Sequence, residues 1–279
     1  MKYVLNKNDI INFNKNGYIK LNNVVSINQL SLIKSTIKNI ASKYIVLDKL
    51  ENDNNLNDVY FNNQLIDLRK KNREKFSSFY DTLQSSVALK KIISSSRILD
   101  CVESLLKLNK EDLAASGETI RLDPPSDDRN SYDWHQERSY YPNNRNGKNG
   151  IFCWAPLHDV SKKMGALVVC PKSHKERFVV NKKQQRIGKG SIDIKVPDNL
   201  IKKYQDKKIP IKAGSIIFSH LHLFHKSGNN LSNKFRFSFV ARYHNAASKD
   251  YLPGMKINTK WNNYDIEKFK LLGDDLSDL

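Results

Sequence analysis

Cysteine is scarce in this 279-residue chain: Cys101, Cys153 and Cys170 form no C-x-x-C pair and are odd in number. That excludes a disulfide scaffold and a paired-cysteine zinc site, and it fits a reducing compartment in which the thiols are small buried apolar groups. Long apolar runs are missing too. The N-terminal segment lacks the roughly 7–15-residue apolar core of a signal peptide, and no stretch approaches the roughly 20 residues needed to cross a bilayer. A soluble, cytoplasmic protein with no membrane partner is expected. Acidic residues are the third shortage, 29 Asp+Glu against 47 Lys+Arg, for a formal charge of +18. The lysines are scattered through every segment, and Lys, Asn and Ile are abundant together, as AT-rich codons would make them. No specific nucleic-acid partner is therefore expected, although an anionic small molecule is favoured. A phosphate-binding glycine fingerprint and a nucleophile elbow are also lacking.

What is present is enough apolar material to fold, 39% hydrophobic and 10% aromatic. Leu30, Leu32, Ile33, Ile37 and Ile40 recur at three and four spacings after Ser26, a plausible N-cap, so a helix is predicted there. Similar patterns run over 65–79 and 83–108. From about Gly117 the text changes to short β-branched and aromatic runs, with strands predicted over 119–123, 151–157, 166–170, 192–196, 209–211, 215–223 and 235–243. Many short strands suggest an antiparallel sandwich or barrel. Without a Ser/Gly linker or an internal repeat, residues 1–279 read as one α+β domain: a mainly helical part (1–116), a β core (117–245) and a polar extension (246–279) holding a surface helix and an acidic end at 274–279.

His135 and Glu137 stand two apart in what reads as extended chain, where period two puts both on one face. A metal held by this pair needs a third ligand, and His220, His222 and His225 lie close together in sequence. Two imidazoles and one carboxylate are the donor set of non-haem Fe(II) oxygenases, leaving positions for a bidentate cosubstrate and O2. Downstream, Phe235, Phe237 and Phe239 alternate with Arg236, Ser238 and Val240. The aromatic face must be buried, so Arg236 points to solvent or into a polar cavity whose anionic guest neutralises it. A dicarboxylate cosubstrate fits the planar guanidinium fork.

These residues resemble the phytanoyl-CoA dioxygenase (PhyH) family of Fe(II)/2-oxoglutarate-dependent oxygenases over most of the chain. Phe13-Asn14-Lys15-Asn16-Gly17-Tyr18 is similar to the family's opening. Trp134-His135-Gln136-Glu137 sits at its His-x-Asp metal motif, with Glu for the usual Asp. Trp154-Ala155-Pro156-Leu157-His158-Asp159, and then Met164-Gly165 through Pro171-Lys172-Ser173-His174, resemble the stretch ending in a Pro-Gly-Ser-His turn, with Lys172 for glycine. The run from Gly214 through His225 to Arg236 resembles the closing segment, whose metal histidine precedes the cosubstrate arginine by eleven residues, here 236 minus 225.

The resemblance implies a double-stranded β-helix (jelly roll, cupin-like) with N-terminal helices packed on one sheet. It implies Fe(II) on His135, Glu137 and His225, and 2-oxoglutarate held by Arg236, Ser227 and Trp154. His220 and His222 then fall on the opposite strand parity, as core or supporting groups. Gln136, Arg138, Tyr140 and Arg121 are candidate substrate contacts at the mouth. Tyr141 is expected in solvated loop, and 143–150 as a mobile turn. The implied reaction is hydroxylation of a C–H bond of a small molecule, releasing succinate and CO2. Alternatives are a non-catalytic cupin-like binding module, ring closure, desaturation or halogenation. Glu137 argues against halogenation, which in relatives uses a small side chain there to leave room for halide.

Overall fold

The computed structural model describes residues 3–49, 55–127, 131–141, 143–144, 146–179, 182–185 and 192–252. The extension helix and the acidic end expected beyond residue 252 lie outside the described residues.

The N-terminal part contributes helices α1 (Lys7–Asn16), α2 (Ile27–Ala41), α3 (Val59–Lys71), α4 (Arg73–Gln84), α5 (Val87–Ile93) and α6 (Ser96–Leu106). Helix α2 starts where expected: the Ser26 hydroxyl accepts from the Gln29 N–H, and the Gln29 side chain returns the bond to Ser26, a capping box. Leu30, Ile33 and Ile37 are buried along its inner face, whereas Leu32 is exposed. The two longer helical patterns each divide. Asn72 ends α3 and caps α4 through its side chain to the Lys75 N–H, and Ser94–Ser95 separate α5 from α6. At Asn72 a side-chain oxygen that competes for a backbone N–H breaks the run although the apolar spacing continues; Ser95 makes no side-chain cap to α6.

The strands are β1 (Tyr18–Leu21), β2 (Leu113–Asp123), β3 (Gly150–Pro156), β4 (Val168–Val169), β5 (Lys182–Gln185), β6 (Ile192–Lys195), β7 (Lys207–Lys208), β8 (Ile216–His220), β9 (His225–Lys226) and β10 (Arg236–Asn245). A five-stranded antiparallel sheet has the order β1-β8-β3-β10-β2, a three-stranded sheet the order β7-β4-β9, and β5 pairs with β6. The sheets face each other as an open jelly roll and do not close into a barrel. The strand expected over 209–211 is reduced to one bridge, Val160 with Ile211. The strand expected over 215–223 stops at His220, so strand parity does not extend from His220 to His225.

Period-two alternation divides the core in two. Outward-facing Phe237 and Phe239 of β10, and Phe235 just before it, are fully buried against the helices, Phe237 stacking on Phe61 at 6.0 Å and Phe235 lying 5.7 Å from Phe76. Inward-facing Phe152, Trp154 and Val240 pack between the sheets with Leu167, Ile217 and Leu221. The same alternation turns Arg236, Ser238 and Arg242 inward.

Candidate functional site

Two histidines 90 positions apart are brought together by backbone pairing. His135 and His225 exchange both main-chain hydrogen bonds, at 3.0 and 3.1 Å, as an isolated antiparallel bridge. Directly opposed residues project to the same face, and the ring centroids are 4.2 Å apart. Each ring has Nδ1 on a carbonyl oxygen two residues earlier: Asp133 O at 2.7 Å and Leu223 O at 2.9 Å. A carbonyl only accepts, so Nδ1 carries the proton and Nε2 is turned to the interior. Glu137 arrives by a different route from the expected strand: the chain leaves the bridge and bends into a 3-10 turn over Glu137–Ser139. That turn places Oε2 3.1 Å from His225 Nε2 and 3.8 Å from His135 Nε2.

These ligand atoms all lie within 4.8 Å of one another, and among the described residues they are the one His/Cys/Asp/Glu group so arranged. Burial, reinforced by the neighbouring His225, pushes the His135 pKa down to about 3, so this imidazole is neutral. Burial alone would raise the pKa of Glu137, but the Arg242 guanidinium outweighs it and holds the carboxyl well below its usual range. A lone pair on nitrogen facing an ionised oxygen calls for a cation between them. The donor set therefore fits a divalent transition metal.

Arg242, on the same face of β10 as Arg236, is the main residue that sequence reasoning missed. Its Nε donates to Glu137 Oε1 at 2.7 Å, and a terminal nitrogen contacts the same oxygen. Its NH1 donates to Gly117 O. The guanidinium lies 4.0 Å from the centroid of Tyr141 and 5.2 Å from that of Phe152.

Arg236 does enter a polar cavity, but its charge is already met within the chain. Asp123 stands opposite it on β2, and Asp123 Oδ2 accepts from Nε at 2.9 Å and lies 2.8 Å from NH2. NH1 donates to Gly165 O and to Gly228 O, the latter at 3.1 Å. In this structure the charge of Arg236 is thus met by a buried ion pair at the cavity wall.

One cleft gathers most of the expected residues: His135, Glu137, His225, Arg236, Ser227, Trp154, Arg121 and Tyr140 all line it. Ser227 Oγ accepts from the Tyr132 N–H at 3.3 Å and is 3.5 Å from Arg121 NH2. Tyr141 lines the cleft as well, half-buried, rather than sitting in solvated loop. Tyr80, Thr119 and Tyr132 complete the polar wall, and Leu167 and Val240 the apolar one. Two expected contacts are elsewhere. The Gln136 amide is fully buried, donating to Arg177 O at 2.5 Å and His222 O at 2.8 Å and accepting from the Val179 N–H at 2.9 Å. Arg138 lies over the Phe178 ring at 5.0 Å. The segment near Asn143 is tied down, Asn143 Nδ2 donating to Leu252 O and Asn144 Nδ2 to Asn245 O. His222 is buried and His220 half-buried, both outside the cleft lining.

The sequence profile of Phytanoyl-CoA dioxygenase (PhyH) matches residues 13–238. The chain belongs to the phytanoyl-CoA dioxygenase family. As a family member it is an enzyme of the Fe(II)/2-oxoglutarate oxygenase superfamily, with Fe(II) as cofactor and 2-oxoglutarate as cosubstrate. No curated protein matches it in sequence. Among solved structures it is similar to EvdO2 from Micromonospora carbonacea var. aurantiaca complexed with 2-oxoglutarate, at 17% identity over 90% of this chain and 96% of that one, TM-score 0.58. EctD from S. alaskensis, with 2-oxoglutarate and 5-hydroxyectoine, is 16% identical over 92% and 82%, TM-score 0.61. The non-heme alpha ketoglutarate dependent epimerase SnoN from nogalamycin biosynthesis is 13% identical over 92% and 95%, TM-score 0.59. Identities at this level establish a common fold for this PhyH-family chain and those proteins. Among its described residues no helix is long and apolar enough to cross a membrane.

Proposed function

We propose that residues 1–279 act as a single catalytic domain that hydroxylates a C–H bond of a small, anionic substrate. The observation that carries this reading is the convergence of His135 Nε2, His225 Nε2 and Glu137 Oε2, with both imidazole tautomers set by backbone carbonyls. His135, Glu137 and His225 hold the Fe(II). The bound Fe(II) would let O2 act as oxidant, one oxygen atom going to succinate as 2-oxoglutarate loses CO2 and the other to the new hydroxyl group.

The protein's own work is binding, orientation and exclusion of water. Arg236, in the cleft wall, binds the far carboxylate of the cosubstrate, helped by Ser227 and Trp154. Arg121, Tyr132 and Tyr140 line the space left for substrate. The cleft has three guanidinium groups, of Arg121, Arg236 and Arg242, against the carboxylates of Asp123 and Glu137. That one-charge cationic excess supports an anionic guest. Glu137 fills the position that halogenation needs vacant, which favours hydroxylation. EctD, in complex with 5-hydroxyectoine, gives the same direction, whereas SnoN is an epimerase and SnoK a carbocyclase, so a ring or stereochemical outcome is the second reading.

The test is succinate release across a panel of small anionic molecules, with product mass measured. A gain of one oxygen atom supports hydroxylation; a product of unchanged mass, or one lighter by two hydrogens, supports the second reading. His225→Ala and Arg236→Ala are the controls, and if both release succinate like the parent, the site assignment fails.

A further inference from the structure

Glu137 is a glutamate where the family motif has aspartate, and the longer side chain creates a problem of aim. It has an additional rotatable bond, and both of its oxygens could turn toward a cation lying between His135 and His225. The structure removes that freedom. Oε1 is engaged by Arg242 through Nε at 2.7 Å and through a terminal nitrogen, while Oε2 alone faces the two imidazoles. Arg242 is itself held by three neighbours: Gly117 O accepts from NH1, and the rings of Tyr141 and Phe152 lie against the guanidinium. It is buried on β10, which is paired on both sides, with β3 and with β2, so its position is set by the sheet and not by a loop.

Resting on the Fe(II) reading of this site, we propose that Arg242 is a positioning residue that keeps Glu137 to a single metal-binding oxygen and so makes a glutamate serviceable at an aspartate position. Two effects of charge oppose each other here: the guanidinium repels a bound cation, and it helps to keep the buried Glu137 carboxylate ionised. An arginine acting by position is told apart from both by Arg242→Lys, which keeps the charge but not the two-nitrogen grip on Oε1: if charge alone matters the lysine variant binds metal like the parent, and if position matters the carboxylate loses its aim and binding weakens. Residues holding a metal ligand from behind typically contribute about 10–100-fold in affinity.

The experiment titrates Co(II) into the full-length protein under anaerobic conditions, reading affinity and the visible absorption of the bound ion, whose intensity reports coordination number. Four proteins besides the parent are compared: Arg242→Met, Arg242→Lys, Glu137→Asp, and Glu137→Asp combined with Arg242→Met. Arg242→Met is expected to weaken Co(II) binding about tenfold or more. Arg242→Lys, which keeps the charge and one donor, is expected to fall between it and the parent and serves if the methionine variant does not fold. In the Glu137→Asp background the shorter carboxylate no longer reaches Arg242, so adding Arg242→Met should change affinity less than about threefold. Unchanged or tighter Co(II) binding in folded Arg242→Met or Arg242→Lys overturns the proposal, as does an equal loss in both backgrounds. A parent that binds no Co(II) sinks the metal reading itself, and the proposal with it.

Discussion

Arg236 and Asp123 face each other directly across the β10–β2 ladder, and the Asp123 carboxylate occupies the Nε and NH2 edge of the guanidinium at 2.9 and 2.8 Å. Both are nearly excluded from solvent. The arginine proposed to hold the cosubstrate therefore starts from a pair, not from an isolated charge. Asp123 fixes its plane, and it also subtracts from the field that attracts a dicarboxylate.

Asp123→Asn should separate these two effects. Leaving the buried guanidinium without its counter-charge is expected to destabilise the ligand-free protein by about 3 kcal/mol. The uncompensated Arg236 should then welcome an anion, so saturating 2-oxoglutarate should raise the melting temperature more in the variant than in the parent. Thermal melts with and without 2-oxoglutarate measure both. An equal or smaller ligand-induced shift in the variant would show that Arg236 does not meet the cosubstrate.

Gly165 is a second handle on the same guanidinium. Its carbonyl accepts from Arg236 NH1, and its φ of +82° lies in the left-handed region. A Cβ added there would stand 2.5 Å from Gly228 O and 2.8 Å from Arg236 NH1. Gly165→Ala is expected to lose about 1–3 kcal/mol of stability through the backbone conformation alone, and to raise the KM for 2-oxoglutarate by displacing Arg236. Denaturant midpoints and succinate kinetics read the two losses separately. A stability loss with no change in KM would place Gly165 in folding only.

Much of this arrangement is legible in the order of residues, and the illegible part has a common cause. The Phe235, Phe237, Phe239 alternation reveals a buried face and an opposite face with Arg236, because strand periodicity is local. Arg242 continues that second face, so its inward direction could have been read six positions on; its partner could not, because Glu137 reaches it through a turn that breaks the period of two. Asp123 is invisible as the partner of Arg236 for a similar reason: their pairing is a matter of register between strands 113 positions apart. Gln136 and Arg138 illustrate the reverse error. Nearness to a metal motif in sequence says little about the cleft once the 3-10 turn at Glu137–Ser139 redirects successive side chains.

Gln136 should accordingly behave as a structural residue. Its amide joins Arg177 O, the Val179 N–H and His222 O, tying two other segments to its own. Gln136→Ala leaves those groups without partners and is expected to destabilise the protein by about 1–3 kcal/mol. KM for any substrate found should stay within about twofold of the parent. A large rise in KM at unchanged melting temperature would return Gln136 to the substrate surface.

Acid should unfold this protein through histidines that are not metal ligands. His158 accepts the Phe237 N–H on Nε2 at 2.9 Å, a bond the protonated ring cannot accept at that atom, and burial pushes its pKa down to about 4. Burial likewise lowers His222 and His244 to about 4, each further depressed by a neighbouring arginine, Arg138 and Arg242 respectively. In the unfolded chain such groups titrate near about 6.5. Between that value and about 4 the unfolded state binds more protons than the folded one, so stability is flat above pH 6.5 and falls as pH decreases. Each of the three histidines contributes a slope of up to about 1.4 kcal/mol per pH unit. Urea midpoints measured from pH 8 to pH 4.5 should show the plateau and then the fall, and His158→Gln should make the acid limb shallower by about one histidine's share. A stability that held constant from pH 8 to pH 4.5 would mean that these rings titrate normally in the folded protein, and that the Phe237 N–H is not held by a neutral imidazole.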